Sequence, residues 1–279
     1  MEIATPAHDP ALTTTSAAFP ERRGSAASFP VLEAEPDGPA SHVAATLEHR
    51  RPPAVFAFTA LVGYVFLVGG AIGLGALLTH VFLQWNLLAT DDLRINTWFA
   101  SERTPTLDDV SYAGSLAGDI PVLPGLVVIA VIVFLCTRRY LAAAFIATAG
   151  LLELATYRVT SLVIHRNRPP VVHLDNLPMN QSYPSGHMAA SVAVYGGLAL
   201  LISSYAQRRW VSVVVWSLAI LLPASVATSR LYRGMHHLTD IAAGLLVGIG
   251  ALLIALLAAR ACNAAVRRRS TTTPTEETP

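Results

Sequence analysis

Three short blocks of this sequence carry residues that could together do chemistry on a phosphate: "HRNRPP" supplies Arg168, "YPSGH" supplies Ser185, Gly186 and His187, and "SRLYRGMHHLTD" supplies Arg230, His236 and Asp240. A guanidinium is a planar fork of N–H donors, charged at any accessible pH, and it matches the oxygens of a phosphate. Ser185 and Gly186 immediately precede a long apolar run. They would therefore sit at a helix N-terminus, where free backbone N–H groups and the positive end of the helix dipole favour an anion. Of the two imidazoles, one could attack phosphorus as a neutral nucleophile while the other protonates the leaving oxygen. Asp240 lies four residues after His236. Once a helix has begun, its carboxylate could accept the Nδ1 proton of His236, leave Nε2 free to attack, and stabilise the cation that follows. His187 is then the general acid. With no carboxylate cluster and no histidine pair at metal-protease spacing, charge neutralisation falls to the arginines, and no metal or other cofactor is expected. Taken singly, each block has a plainer reading as a surface arginine, an ordinary helix start or a surface hydrogen bond. Their conjunction in one order is what argues for a site.

The elements that must position these groups follow from composition. The chain has 279 residues, of which 53% are hydrophobic and only 13% charged, a balance that points to a membrane protein. The net charge of +1 gives no basic excess that would suggest nucleic acid. A bilayer-spanning helix needs about 20 mostly apolar residues, and six stretches approach that length: about 54–83, 119–137, 140–164, 186–205, 210–228 and 239–261. The fold class expected is therefore all-α and integral to the membrane, a bundle of six transmembrane helices with extracytoplasmic active-site loops. Arg50-Arg51, Arg138-Arg139, Arg208-Arg209 and Arg267 to Arg269 fall where an even number of spans makes all four clusters cytoplasmic. That orientation puts both termini in the cytoplasm and sends residues 84–118, 165–185 and 229–238, with nearly all the remaining polar chemistry, to the outer face. Residues 1–52 lack apolar runs and helical period and read as a disordered cytoplasmic tail; residues 53–265 form the membrane domain, and residues 266–279 a second disordered tail. Arg22-Arg23 is followed by acids and prolines, so no twin-arginine signal is read there. Residues 84–118 read as short helices in the interface, Gly69, Gly73, Gly244 and Gly248 as helix-packing sites, and Cys136 and Cys262 as small buried apolar residues.

The three blocks resemble the tripartite signature of the type 2 phosphatidic acid phosphatase superfamily, over roughly residues 54–262. That family includes integral-membrane lipid phosphatases, undecaprenyl-diphosphate phosphatases, glucose-6-phosphatases and soluble vanadate-dependent haloperoxidases. The resemblance implies a six-helix bundle in the cytoplasmic (plasma) membrane with an extracytoplasmic site. It makes His236 the nucleophile, Asp240 its partner and His187 the acid, with Arg168, Ser185, Gly186 and Arg230 as phosphate binders. The implied substrate is a membrane lipid phosphate, monoester or diphosphate, such as undecaprenyl diphosphate, phosphatidylglycerophosphate or phosphatidic acid. The alternatives are a non-catalytic membrane transporter or scaffold that retains a phosphate site, and a vanadate-dependent haloperoxidase.

One departure stands out. The family's first block usually begins with a lysine seven residues before the arginine of its Arg-Pro pair, and this chain has Ser161 there. Arg158, about one helical turn deeper, and Arg166, in the loop, are the possible substitutes for the missing cation. Glu153, an acid well inside a span, needs either a structural partner such as an arginine or hydroxyl on another helix, or a role, such as a proton path. His237, His165, His173 and Tyr232 read as rim residues.

Overall fold

The computed structural model describes residues 29–86, 88–119, 121–176 and 178–272. Its described residues form nine α-helices: α1 (Pro39–Thr46), α2 (Pro52–Leu77), α3 (Ala89–Ser101), α4 (Pro105–Leu116), α5 (Val122–Cys136), α6 (Tyr140–Val163), α7 (Gly186–Tyr205), α8 (Arg209–Tyr232) and α9 (Leu238–Thr272). Five helical stretches are long and apolar enough to cross a membrane: α2 with its π-type continuation to Phe82, α6, α7, α8 and α9. The sixth expected span, α5, is apolar throughout but only 15 residues long. In lipid every backbone polar group must be satisfied within the chain, which is why these apolar runs fold as helices.

The helices sort by exposure. α7 and α9 occupy the centre, α9 lying against α2, α6 and α7, and α7 against α6, α8 and α9. α2, α5 and α8 turn side chains such as Phe66, Ile129 and Ile220 outward. Their apolar surface finds its solvent in lipid rather than in a protein core. Glycine decides how closely the two central helices approach: a Cβ on Gly244 would lie 2.4 Å from the Ser185 carbonyl oxygen, and one on Gly248 2.5 Å from that of Ala189. These two are packing sites as expected. Gly69 and Gly73 are not, since nothing lies within 4 Å of a Cβ at either; Gly63 and Gly75 make the close approaches on α2 instead.

The expected tail of residues 1–52 is corrected where it can be seen. Residues 1–28 lie outside the described residues, but α1 packs Ala40 and Ala44 against Ala261, Ala264 and Ala265 of α9, and Phe29 and Leu32 join the core near Phe145 and Leu201. Arg139 is sandwiched over the rings of Phe29 and Tyr205, at 4.7 and 4.4 Å. Short alanine-rich segments carry little hydrophobic signal of their own, and it is the alanine face of α9, with Val55 of α2, that gives α1 its partner. α9 likewise runs as helix to Thr272, so residues 266–272 are not a disordered tail. The arginine clusters come together at this end, where Arg269 donates to the Arg50 carbonyl and Arg260 to that of Val31. Cys136 is exposed and Cys262 half-buried, neither being the fully buried residue expected.

Candidate active site

At the opposite end the three blocks converge, and each is placed by a different local device. α8 extends to Tyr232, so Ser229 and Arg230 belong to its last turn rather than to a loop. That turn is closed by a Schellman motif: Gly234 N–H donates to the Leu231 carbonyl at 3.0 Å and Met235 N–H to that of Arg230 at 2.9 Å. Gly234 takes φ +71, and a Cβ there would meet Val171 at 2.8 Å. Only glycine adopts that conformation without penalty. The reversal brings His236, two residues on, back beside Arg230.

The start of α9 is held by two carboxylates. Asp92 of α3 accepts from Thr239 N–H at 3.1 Å and Thr239 Oγ1 at 2.5 Å. Asp240 accepts from His237 N–H at 2.9 Å. Both satisfy donors that a helix N-terminus otherwise leaves unpaired, and both complement its dipole. Arg166 bridges them, with Nη2 on Asp92 Oδ2 at 2.8 Å and Nη1 on Asp240 Oδ1. Arg166 also donates to Thr239 Oγ1 at 2.7 Å. Three of the five Arg166 N–H donors are thus committed to the framework at the α9 start.

The expected His236–Asp240 bond is also corrected. His236 Nδ1 lies 2.7 Å from the Ser182 carbonyl oxygen, and the Ser182 hydroxyl donates to Asp240 Oδ2 at 2.6 Å. A carbonyl can only accept, so Nδ1 carries the proton and Nε2 keeps its lone pair. Asp240 acts on His236 through Ser182, because the carboxylate is already committed to capping α9 and to Arg166. Burial, then the charge of Arg230, hold His236 well below the ordinary histidine value against the opposing pull of Asp240. A ring held neutral in this way could act as a nucleophile through Nε2.

Arg230 and Arg168 divide the cation work. Arg230 Nη1 donates to Ser115 Oγ at 3.0 Å and to Asp175 Oδ2 at 2.8 Å. Its Nε and Nη2 are buried without a partner among the described residues, as is Ser185 Oγ. Ser185 is the N-cap of α7, yet its hydroxyl makes no capping bond, and its N–H donates to the Asp240 carbonyl at 3.0 Å. Unpaired buried donors are costly, and these converge near one imidazole on α7 and one before α9. Arg168 spends one donor on each of three carbonyls, at Pro178 (2.9 Å), Gln181 (3.2 Å) and Met235, and so ties the loop between α6 and α7 to the α8–α9 turn. Of its five N–H groups two remain. Burial and then the charge of Arg230 lower the Arg168 guanidinium from its ordinary value, the signature of two cations crowded together. An anion between them relieves that repulsion.

His187 Nε2 stands 3.5 Å from Asp119 Oδ1. Tyr157 lies against Gly186, where a Cβ would touch its ring at 3.1 Å, and Arg158 stacks over Tyr157 with 5.8 Å from its guanidinium carbon to the ring centroid. Ser161, at the lysine position, turns its hydroxyl back to the Arg158 carbonyl at 3.1 Å. His187, Gly186, Tyr157 and Arg158 border one cavity of about 430 Å³ between α5, α6 and α7 that also takes in Asp119 and Glu153, its remaining walls being apolar, among them Leu123, Val127 and Val194. Sequence reasoning missed Ser182, Asp92, Asp119 and Asp175. Asp175 is the clearest omission: burial would raise it, but its hydrogen bond to Arg233 and the charges of Arg230 and Arg233 hold it below the ordinary carboxylate value. His237 and Tyr232, expected only at the rim, are built in, His237 on Asp240 and Tyr232 on Asp108 at 2.9 Å.

The family model described as the PAP2 superfamily matches residues 140–264. Among curated proteins, the chain is 32% identical over 120 residues to an undecaprenyl-diphosphatase of Sulfolobus acidocaldarius, covering 42% of this chain and 54% of that protein. It is 37% identical over 89 residues to sphingosine-1-phosphate phosphatase 2 of Mus musculus, covering 32% of this chain and 24% of that protein. The chain thus spans about half, or less, of the length of these relatives. Among solved structures, a transmembrane PAP2-type phosphatidylglycerolphosphate phosphatase from Bacillus subtilis superposes with a TM-score of 0.57 at 19% identity, over 78% of this chain and 100% of that one. At that identity the likeness is one of fold.

Proposed function

From the match of residues 140–264 to the PAP2 superfamily model, we propose that the chain is a membrane phosphatase of that superfamily, acting on a lipid phosphate monoester or diphosphate through a phosphohistidine. The observation that carries the reading is the set of bare buried donors, Arg230 Nε and Nη2 with Ser185 Oγ, beside His236 and His187. With the N–H groups at the start of α7 and the free donors of Arg168, they supply the charge and hydrogen bonds that a phosphoryl group in flight requires.

His236 Nε2 attacks phosphorus, the bond from phosphorus to the leaving oxygen breaks, and His187 gives that oxygen its proton. The imidazole is then N-phosphorylated, and the Ser182 carbonyl, with Asp240 behind it, stabilises the positive ring. In the second half His187 takes a proton from water, the water oxygen attacks phosphorus, and the P–N bond breaks to release phosphate. Asp240 is a positioning residue in this scheme. The packed unit that carries the site runs from residue 29 to residue 272, no metal takes part, and the arginine clusters at the far end favour an orientation with that end cytoplasmic and the site extracytoplasmic, in the plasma membrane. The apolar cavity running from His187 between α5, α6 and α7 supports a lipid, because it gives a hydrocarbon tail a path to the bilayer. Undecaprenyl diphosphate, phosphatidylglycerophosphate, phosphatidic acid and sphingosine 1-phosphate are the candidate substrates.

Purified protein in detergent with a chelator present, offered a panel of these lipids, is expected to release phosphate from at least one, and His236→Ala from none. No release from any, or release abolished by the chelator, contradicts the reading.

A further inference from the structure

Glu153 lies on α6 and is 5% exposed, yet no group among the described residues pairs with it. The arginine or hydroxyl partner expected from another helix is not found among the described residues. Its carboxyl instead lines the apolar cavity that His187 and Gly186 border at the other end. A bare carboxyl in such surroundings is costly, and a leucine in its place would pack without that cost.

Resting on the phosphatase reading, we propose that Glu153 is a specificity-determining residue that selects lipid phosphates carrying a hydrogen-bond donor, a hydroxyl or a protonated amine, close to the phosphate. The placement sets the distance. Tyr157 touches Gly186 at the phosphate cradle. Glu153 is four residues before it, roughly 6 Å deeper along α6. A lipid whose phosphate rests on Arg230 and Ser185 and whose tail follows the cavity therefore passes Glu153 within its first few bonds beyond the leaving oxygen. A hydroxyl or ammonium group at that point satisfies the carboxyl, while a plain or polyprenyl hydrocarbon leaves it bare. A site built to hydrogen-bond a substrate group discriminates strongly against the analogue lacking it.

Two probes of equal chain length separate the cases: octadecyl phosphate, and the 2-amino-3-hydroxy octadecyl phosphate. In the wild-type protein kcat/KM for the amino-hydroxy lipid is expected to exceed that for the plain one by about ten- to hundredfold. In Glu153→Leu the ratio falls to near one, and in Glu153→Gln, which can still accept a hydrogen bond, it falls partway. A merely structural carboxyl would change both rates together and leave the ratio intact, which would overturn the proposal, as would a wild-type ratio near one. Displacement of a fluorescent lipid from His236→Ala protein, with and without Glu153→Leu, measures the same preference without turnover. If wild-type protein hydrolyses neither probe but the binding preference is present and lost with Glu153→Leu, the phosphatase reading falls and this one stands; if binding shows no preference, this one falls.

Discussion

Two buried arginines at the mouth of the bundle, Arg166 and Arg230, show how one residue type serves framework in one place and binding in another. Arg166 is neutralised by protein, lying between Asp92 and Asp240 with Thr239 as a third partner. Arg230 has one carboxylate, Asp175, and leaves Nε and Nη2 bare. Two protein carboxylates already balance the charge of the first. The second has been desolvated without being paid in full, and its unmet donors are free to take an anion.

The largest effect expected is chemical: His236→Ala lowers kcat by more than about 10⁴-fold, far beyond what its smaller loss of stability explains, because it removes the attacking atom along with one buried hydrogen bond to the Ser182 carbonyl. Next, the two arginines should part company. Arg166→Met strands two buried carboxylates at the α9 start and costs about 3–5 kcal/mol of stability, read as a drop in melting temperature. Arg230→Gln leaves Asp175 with Arg233 and costs kcat/KM about 10²–10³-fold, with a smaller change in melting. If Arg166→Met were stable and inactive, or Arg230→Gln active and unstable, the division between the two would be reversed.

Smaller effects test the frame. Gly234→Ala forces a Cβ against Val171 at φ +71 and is expected to cost roughly 1–2 kcal/mol, with kcat falling as His236 is displaced. The pH profile should show the smallest departure. Because His236 in the folded protein lies below the ordinary 6.5, the ring keeps its lone pair as pH falls through that value, and only further acidification protonates it. The acid limb of kcat/KM due to this residue is therefore expected below pH 6.5; an acid limb at or above 6.5 assigned to His236 would mean that the ring is not held neutral by burial and Arg230.

What the sequence made legible were the groups whose positions follow from local rules. Apolar runs announced the helices, Pro-Ser-Gly-His before such a run announced the α7 N-terminus, and the blocks named His187, His236, Arg168 and Arg230, which the fold brings to one end. The illegible part is long-range. Nothing near Asp92 marks it as the cap of a helix that begins more than a hundred residues later, and nothing near Ser182 says that its carbonyl will take the His236 proton. The i,i+4 spacing of His236 and Asp240 suggested a direct pair, but the chain turns between them, and the helix N-terminus and Arg166 claim the carboxylate first. The ordering of residues 29–46 was hidden for the same reason: Ala40 and Ala44 are core only because Ala261 and Ala264 lie opposite.

The central claim is that phosphate is held by Arg230 and Ser185 while His236 takes it covalently. Rapid acid-free quenching of the wild-type protein with lipid phosphate labelled with ³²P, followed by peptide mapping, tests it most directly. The expected result is an acid-labile, base-stable label on the peptide containing His236, diminished in Arg230→Gln and absent in His236→Ala. Turnover without any such label, or a label on another residue, would contradict it.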